Sequence, residues 1–200
     1  ILGCGPSTGV PLLGCECDVC TSYNPKNFRR RCSLLVENGE TVILIDTSPD
    51  LHMQAYEHSI FRVDGVLYTH EHADHSHGID EIRGFNRLMQ GQVDVYADNE
   101  TLKALKNRFA YAFKEPVKEY GWYKAVLNGH EVKAGKELEI KDTRILPFTQ
   151  QHGNVETLGF RVGDIAYSTD VKELDDNAFA ALKGVKMWVV DAQAYKEQPT

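Results

Sequence analysis

The stretch Thr69-His70-Glu71-His72-Ala73-Asp74-His75 places four strong metal-ligand side chains within six residues. Imidazoles offer neutral nitrogens and the carboxylate an anionic oxygen, the donor set that holds zinc, manganese or iron. Val66-Leu67-Tyr68 ahead of the run reads as a buried strand, so the ligands are released into a loop where they can converge. A single tetrahedral ion rarely takes four ligands from one loop. The pattern therefore points to two ions side by side, with His70 and His72 on one and Asp74 and His75 on the other. Chance clustering of histidines in a surface loop is the competing reading. The full His-x-His-x-Asp-His spacing directly after a strand weighs against it.

Two further candidates stand at the ends of expected strands: His152 after Leu146-Pro147-Phe148-Thr149, and Asp170 after Ala166-Tyr167-Ser168-Thr169. Either alone would be turn chemistry; beside the first motif each becomes a candidate ligand. Cys15-x-Cys17-x-x-Cys20 gathers three of the five cysteines. An odd, bunched count does not fit a secreted disulfide framework. Three thiolates at this spacing suit a structural zinc that lacks one ligand, and free or redox-active thiols are the alternative. Cys4 and Cys32 read as small buried residues.

Other residues carry two readings each. Asp46, closing Leu44-Ile45-Asp46, can orient a ligand histidine or open the next helix. Arg83 can meet a phosphate or form a surface ion pair. His77 falls outside the ligand spacing and reads as a loop residue or a reserve acid. Arg29-Arg30-Arg31 is a solvated turn or a phosphate-facing patch.

The elements that must position these residues are legible in outline. Residues 33–37 and 41–46 flank Asn38-Gly39, a hairpin signal. Ser48 can cap a helix with Pro49 at its first position and Asp50 complementing the dipole. Residues 64–69 form the strand that delivers the histidine loop, and Ile79, Ile82, Phe85 and Leu88 recur behind it at helical spacing. A strand over 93–97 and a helix marked by Leu102, Leu105 and Phe109 follow. Residues 110–135 read as an irregular segment rich in aromatics (Tyr111, Phe113, Tyr120, Trp122, Tyr123), either packing under a loop or a substrate-facing wall. Strands resume over 137–147, 157–162 and 165–168, then a helix near 174–182 stopped by Gly184, then a strand over 187–191. Two sheets with helices outside fit this order better than a doubly wound parallel sheet.

Two hundred residues with 42% hydrophobic and 26% charged side chains describe one ordinary globular core. No apolar run is long enough to span a bilayer. A net charge of −7 argues against wrapping nucleic acid through a basic surface, but leaves a small anionic substrate open because bound ions dominate their local field. Gly3-Cys4-Gly5-Pro6-Ser7-Thr8-Gly9 lacks the spacing and lysine of a P-loop.

The His-x-His-x-Asp-His loop followed by His152 and Asp170 resembles the signature of the metallo-β-lactamase superfamily. Gly3 to Pro11 followed by the cysteine cluster is similar to the PhnP-like branch, which contains phosphoribosyl cyclic phosphodiesterase. This resemblance covers essentially the whole chain. It implies an α+β fold, a four-layer αβ/βα sandwich, as one hydrolase domain over residues 1–200. His70, His72 and His152 would hold the first metal, Asp74 and His75 the second, and Asp170 would bridge. Cys15, Cys17 and Cys20 would hold a structural zinc. The implied activity is a metal-dependent phosphodiesterase with two Mn or Zn ions, Asp74 and Asp170 serving catalysis. Hydroxide held between the ions would attack a small cyclic or nucleotide-like phosphodiester. A cytoplasmic location and a homodimer go with it. The branch supplies further C-terminal histidines as metal ligands and general acid; none follows His152 here, so the pattern is expected to continue past Thr200. A thioester or lactam hydrolase of the same fold, an RNA-processing nuclease, and a non-enzymatic metal- or redox-sensing protein are the alternatives. The cysteine cluster weighs against the first and the acidic charge against the second.

Overall fold

The structure is a computed structural model that describes residues 1–115 and 125–192. Tyr120, Trp122 and Tyr123 of the aromatic segment lie outside the described residues. Strand β1 (Leu34–Asn38) and strand β2 (Thr41–Ile45) form an antiparallel hairpin, Asn38 opposite Thr41, turned by Gly39 at φ +56°. Strands β3 (Gly65–Leu67), β4 (Val93–Ala97) and β5 (Leu127–Glu131) add in parallel, giving a sheet in chain order. The second sheet holds β6 (Leu138–Ile140), β7 (Thr143–His152), β8 (Val155–Val162) and β9 (Ile165–Ser168), all antiparallel, and β10 (Met187–Val190) parallel to β9.

Alternation along β2 explains the layering. Ile43 and Ile45 point between the sheets and meet Leu67, Ile145, Leu158 and Phe160. Leu44 points the other way, with Val66, Tyr68 and Val95, under the helices. Those helices are α1 (Leu51–Glu57), α2 (Ala73–Ser76), α3 (Ile82–Met89) and α4 (Asn99–Arg108). They contribute Leu51, Ile82, Phe85, Leu102 and Leu105 to that core. Each such side chain, fully buried, stabilises the fold by roughly 1.5–3 kcal/mol. Helix α5 (Asp176–Leu182) packs on β7, on the outer side of the second sheet. The expected αβ/βα layering is present, its outermost layer reduced to this short helix. Among the described residues, no helix is long and apolar enough to cross a membrane.

Several elements differ from the sequence expectation. Residues 137–147 are not one strand: the chain reverses at Lys141 (φ +52°) between β6 and β7. Pro147 then sits inside β7, where a proline lacks a ladder donor. Its carbonyl accepts from Gly135 outside β6, so the missing donor faces a side where β6 has already ended. Residues 127–131, read as irregular, are edge strand β5; Leu-Asn-Gly-His-Glu has little apolar alternation. A Cβ at Gly129 would stand 3.1 Å from Lys106 Cε, a close contact that the glycine avoids. Helix α1 starts at Leu51 rather than Pro49. Ser48 is buried and donates to Gln54 Oε1 at 3.0 Å.

Candidate metal centre

The parallel neighbours β2 and β3 end side by side, and their last residues build one half of the site. Asp46 follows β2 at φ +61°, fully buried. Its Oδ1 accepts from the Thr69 backbone N–H at 2.8 Å, and its Oδ2 accepts from the Thr69 hydroxyl at 2.8 Å. The same Oδ2 faces His75 Nδ1 at 2.7 Å. These contacts assign the tautomers. A carboxylate only accepts, so the Thr69 proton goes to Asp46, and Thr69 Oγ1 must then accept from His70 Nδ1–H at 2.9 Å. His75 Nδ1 is likewise a donor. Both rings therefore turn Nε2 inward, and both Nε2 atoms are buried with no hydrogen-bond partner among the described residues, His75 Nε2 facing the Asp74 and Asp170 carboxylates at 3.3 and 3.4 Å. A buried nitrogen left unpaired costs about 1–3 kcal/mol, and a cation bound at each would offset that cost.

His72 precedes α2, and this one-turn helix carries Asp74 and His75. His152 ends β7, and Asp170, at φ +53°, stands two residues past β9. The second sheet reaches the first here through Leu158 N–H to Thr69 O at 2.9 Å. Asp170 Oδ2 lies 3.7 Å from His70 Nε2, 3.4 Å from His75 Nε2 and 3.6 Å from His152 Nε2. Two groups of ligand atoms result, each within 4.8 Å of its own members: His70, His72, His152 and Asp170, and then Asp74, His75 and Asp170. The donor set fits two divalent ions sharing Asp170, and the sequence-predicted ligands are all brought together.

The electrostatics agree with a cation-binding cluster. Burial, reinforced by His75, pushes the His70 imidazole down to about 3, so it stays a neutral ligand. For His75, burial opposes the charged form, but Asp46, Asp170 and Asp74 outweigh it and hold the ring protonated. Burial likewise opposes ionisation of Asp170, and His75, His70 and His152 overcome it, keeping the carboxyl well below the usual range. A cation held here would have to displace the His75 proton.

Beside the cluster lies a cavity of about 580 Å³, walled by the Gly3–Ser7 loop, Cys32, Tyr167 and Asp191. That is the size range of small-ligand sites. Cys4 and Cys32 correct the sequence expectation: Cys4 is exposed and Cys32 only partly buried, and both line this cavity. The backbone at Gly3 and Gly5 lies so close to Arg29–Arg31 that a Cβ would overlap its carbonyls, which turns Cys4 outward. Burial pushes the Cys32 thiol up to about 11, and it donates to Gly5 O at 3.4 Å. Asp191 and Thr69 are site residues that the sequence analysis does not single out.

The remaining candidates fall elsewhere. Cys15, Cys17 and Cys20 converge with sulfurs within 4.8 Å, in a group of three among the described residues. A backbone donor from Cys20, then the Cys15 thiol, draws Cys17 down to about 7. Arg83 pairs with Asp80 at 3.3 Å, away from the cavity. His77 is exposed, edge-on to Phe109. Arg30 pairs with Glu57 and Arg31 with Asp50, on helix α1 and its entry turn, while Arg29 donates to the backbone oxygens of Lys26 and Phe28.

Two sheets sandwiched between helices, with histidine and aspartate ligands at the strand ends, define a metallo-β-lactamase fold. Residues 41–200 match the family described as Beta-lactamase superfamily domain. The chain belongs to that superfamily. It is similar to a diphosphatase of the PhnP family, at TM-score 0.83 and 35% identity over 94% of this chain and 70% of that one. Zn(2+)-bound PqqB from Methylobacterium extorquens shares the fold at TM-score 0.72 and 18% identity, over 96% of this chain and 71% of that chain. An octanoyltransferase of Porphyromonas gingivalis is 35% identical over all of this chain, and a ribonuclease Z of Methanopyrus kandleri 31% identical over 69% of it. The chain spans 40% and 46%, respectively, of these two relatives.

Proposed function

We propose that the chain hydrolyses a small cyclic or nucleotide-like phosphodiester, using two divalent ions, manganese or zinc, held by the histidine–aspartate cluster. The carrying observation is Asp170 Oδ2, one oxygen 3.4 to 3.7 Å from nitrogens of both ligand groups. His70, His72 and His152 would hold the first ion, Asp74 and His75 the second, with Asp170 shared. Such ions, when bound, activate water near neutral pH and offset charge on phosphoryl oxygens. The protein's own contribution is orientation. Asp46 and Thr69 fix the tautomers of His75 and His70, and burial of those rings keeps bulk water from their ligand face. The adjoining cavity admits one small ester. Cys15, Cys17 and Cys20 are proposed to hold a structural zinc.

Phosphorus is favoured over carbonyl chemistry by the relatives. A diphosphatase and a ribonuclease are both named for cleaving phosphorus–oxygen bonds. The octanoyltransferase, of which this chain spans 40%, is named for acyl transfer instead, and the thioester in the test below addresses that chemistry.

The test is turnover of a cyclic phosphodiester panel after chelation and return of Mn or Zn, with a thioester and a β-lactam alongside. Phosphodiester turnover abolished by His72→Ala and Asp170→Ala is expected. Cleavage of the thioester or lactam alone would replace this reading with carbonyl hydrolysis.

A further inference from the structure

Gln150 lies in β7, two residues before His152, and is 1% exposed. Its Nε2 donates to the backbone oxygen of Thr169, the residue before Asp170. Among the described residues its Oε1 has no hydrogen-bond partner, and neither has Oγ1 of Thr157, the residue opposite it across the β7–β8 ladder. A buried polar atom left unpaired costs about 1–3 kcal/mol, and an apolar side chain of similar length would avoid that cost. Packing therefore does not account for a glutamine at this position. Its bond to the Asp170 loop does.

Asp170 needs such a restraint. Its φ of +53° is a region that a residue with a side chain holds only where its surroundings impose it. The far end of the loop is fixed by the Gln151 backbone, whose N–H donates to Glu173 O at 3.0 Å and whose carbonyl accepts from Lys172 N–H at 2.7 Å. The near end is fixed by the Gln150 amide. The same short stretch of β7 thus clamps the loop at both ends and supplies His152. The two ligand groups depend on this clamp unequally. Three histidines remain to the first if Asp170 shifts, whereas the second keeps only Asp74 and His75.

We propose that Gln150 is a positioning residue that places Asp170 and so sets the affinity of the Asp74–His75–Asp170 group for its divalent ion. This rests on the dinuclear reading of the cluster.

The experiment compares wild type with Gln150→Met and Gln150→Leu, which keep apolar bulk and remove the donor. Metal-free proteins are melted, then Co(II) binding is followed by calorimetry and by the visible cobalt spectrum. The variants are expected to melt within about 3 °C of wild type, or above it. The first cobalt should bind as before, and the second should weaken by about 10–100-fold, the usual effect of losing a partner behind a ligand. Equal weakening of both ions, unchanged binding of both, or failure of both variants to fold would each overturn the proposal. Wild type binding fewer than two cobalt ions would sink the dinuclear reading itself. Wild type binding two, with variants indistinguishable from it, would sink the role of Gln150 alone.

Discussion

Asp46→Asn keeps the shape of a buried side chain and reverses the direction of two hydrogen bonds. In the native site the two carboxylate oxygens accept from Thr69 N–H, Thr69 O–H and His75 Nδ1–H. Asparagine can still present an oxygen to Thr69 N–H, but it sets an NH₂ where Oδ2 stood. The Thr69 hydroxyl then accepts from that NH₂ and passes its own proton towards His70 Nδ1, which moves the ring hydrogen of His70 to Nε2. His75 must also present a bare Nδ1 and keeps its hydrogen on Nε2. Both inward nitrogens are buried and lack a hydrogen-bond partner among the described residues; in the variant each carries the hydrogen of a neutral ring into the space for the ions. Restoring the native tautomer forfeits a hydrogen bond worth about 1–3 kcal/mol per ring, which is about 5–100-fold in affinity. His70 belongs to one ligand group and His75 to the other, so joint occupancy should fall by about 25-fold to 10⁴-fold. Asparagine tolerates the φ of +61° at this position, so the backbone is retained. Binding isotherms for Zn and Mn, with ¹⁵N spectra of His70 in the metal-free protein, read both effects. Two ions bound at wild-type affinity, or a His70 Nε2 still bare, would refute the tautomer argument.

Four further outcomes are expected. Chelation should lower the melting temperature and returned metal restore it, by about 2.7 kcal/mol at a hundredfold excess over Kd; an unchanged melt after verified metal removal would contradict binding to the folded cluster. In zinc-free protein near pH 7.5, Cys17 should alkylate before Cys32, because a thiol drawn down to about 7 is largely thiolate there and one pushed up to about 11 is not; mass spectrometry showing the opposite order would contradict it. Gly78→Ala puts a Cβ 2.0 Å from Ser48 O, so the histidine loop must move, and denaturant unfolding should show a loss above about 3 kcal/mol. Leu105→Ala, at a fully buried position, should cost about 2–5 kcal/mol with metal binding intact; loss of metal affinity in a folded variant would show that α4 does more than pack.

Legibility in the sequence followed the physics of each feature. His70, His72, Asp74 and His75 were readable because their donors lie close in the chain and side-chain chemistry alone marks them. His152 and Asp170 were readable as residues after strands, but their convergence depends on two sheets meeting, which spacing does not encode. The hairpin at Gly39 and the alternation in β4 were plain, since turn chemistry and period-two burial are local. β5 escaped because an edge strand with a central glycine lacks that alternation. The reversal at Lys141 was hidden because no glycine or proline marks it. Gln150 and Thr69 act through backbone and proton geometry, so residue type alone could not set them apart. The outward turn of Cys4 follows from the close approach of two backbones, a tertiary fact.

Neither ion group is confined to one sheet. His70, His72, Asp74 and His75 leave the end of β3, while His152 and Asp170 leave β7 and β9. Any ion held there is a rivet through the seam of the sandwich. Loading the site would therefore govern how freely the two sheets breathe against each other. Amide exchange at Leu158, whose N–H crosses that seam to Thr69, would report the rivet's presence far more directly than exchange in the hairpin of β1 and β2. The chemistry and the mechanical cohesion of the fold then share one fastening, and metal supply would tune both at once.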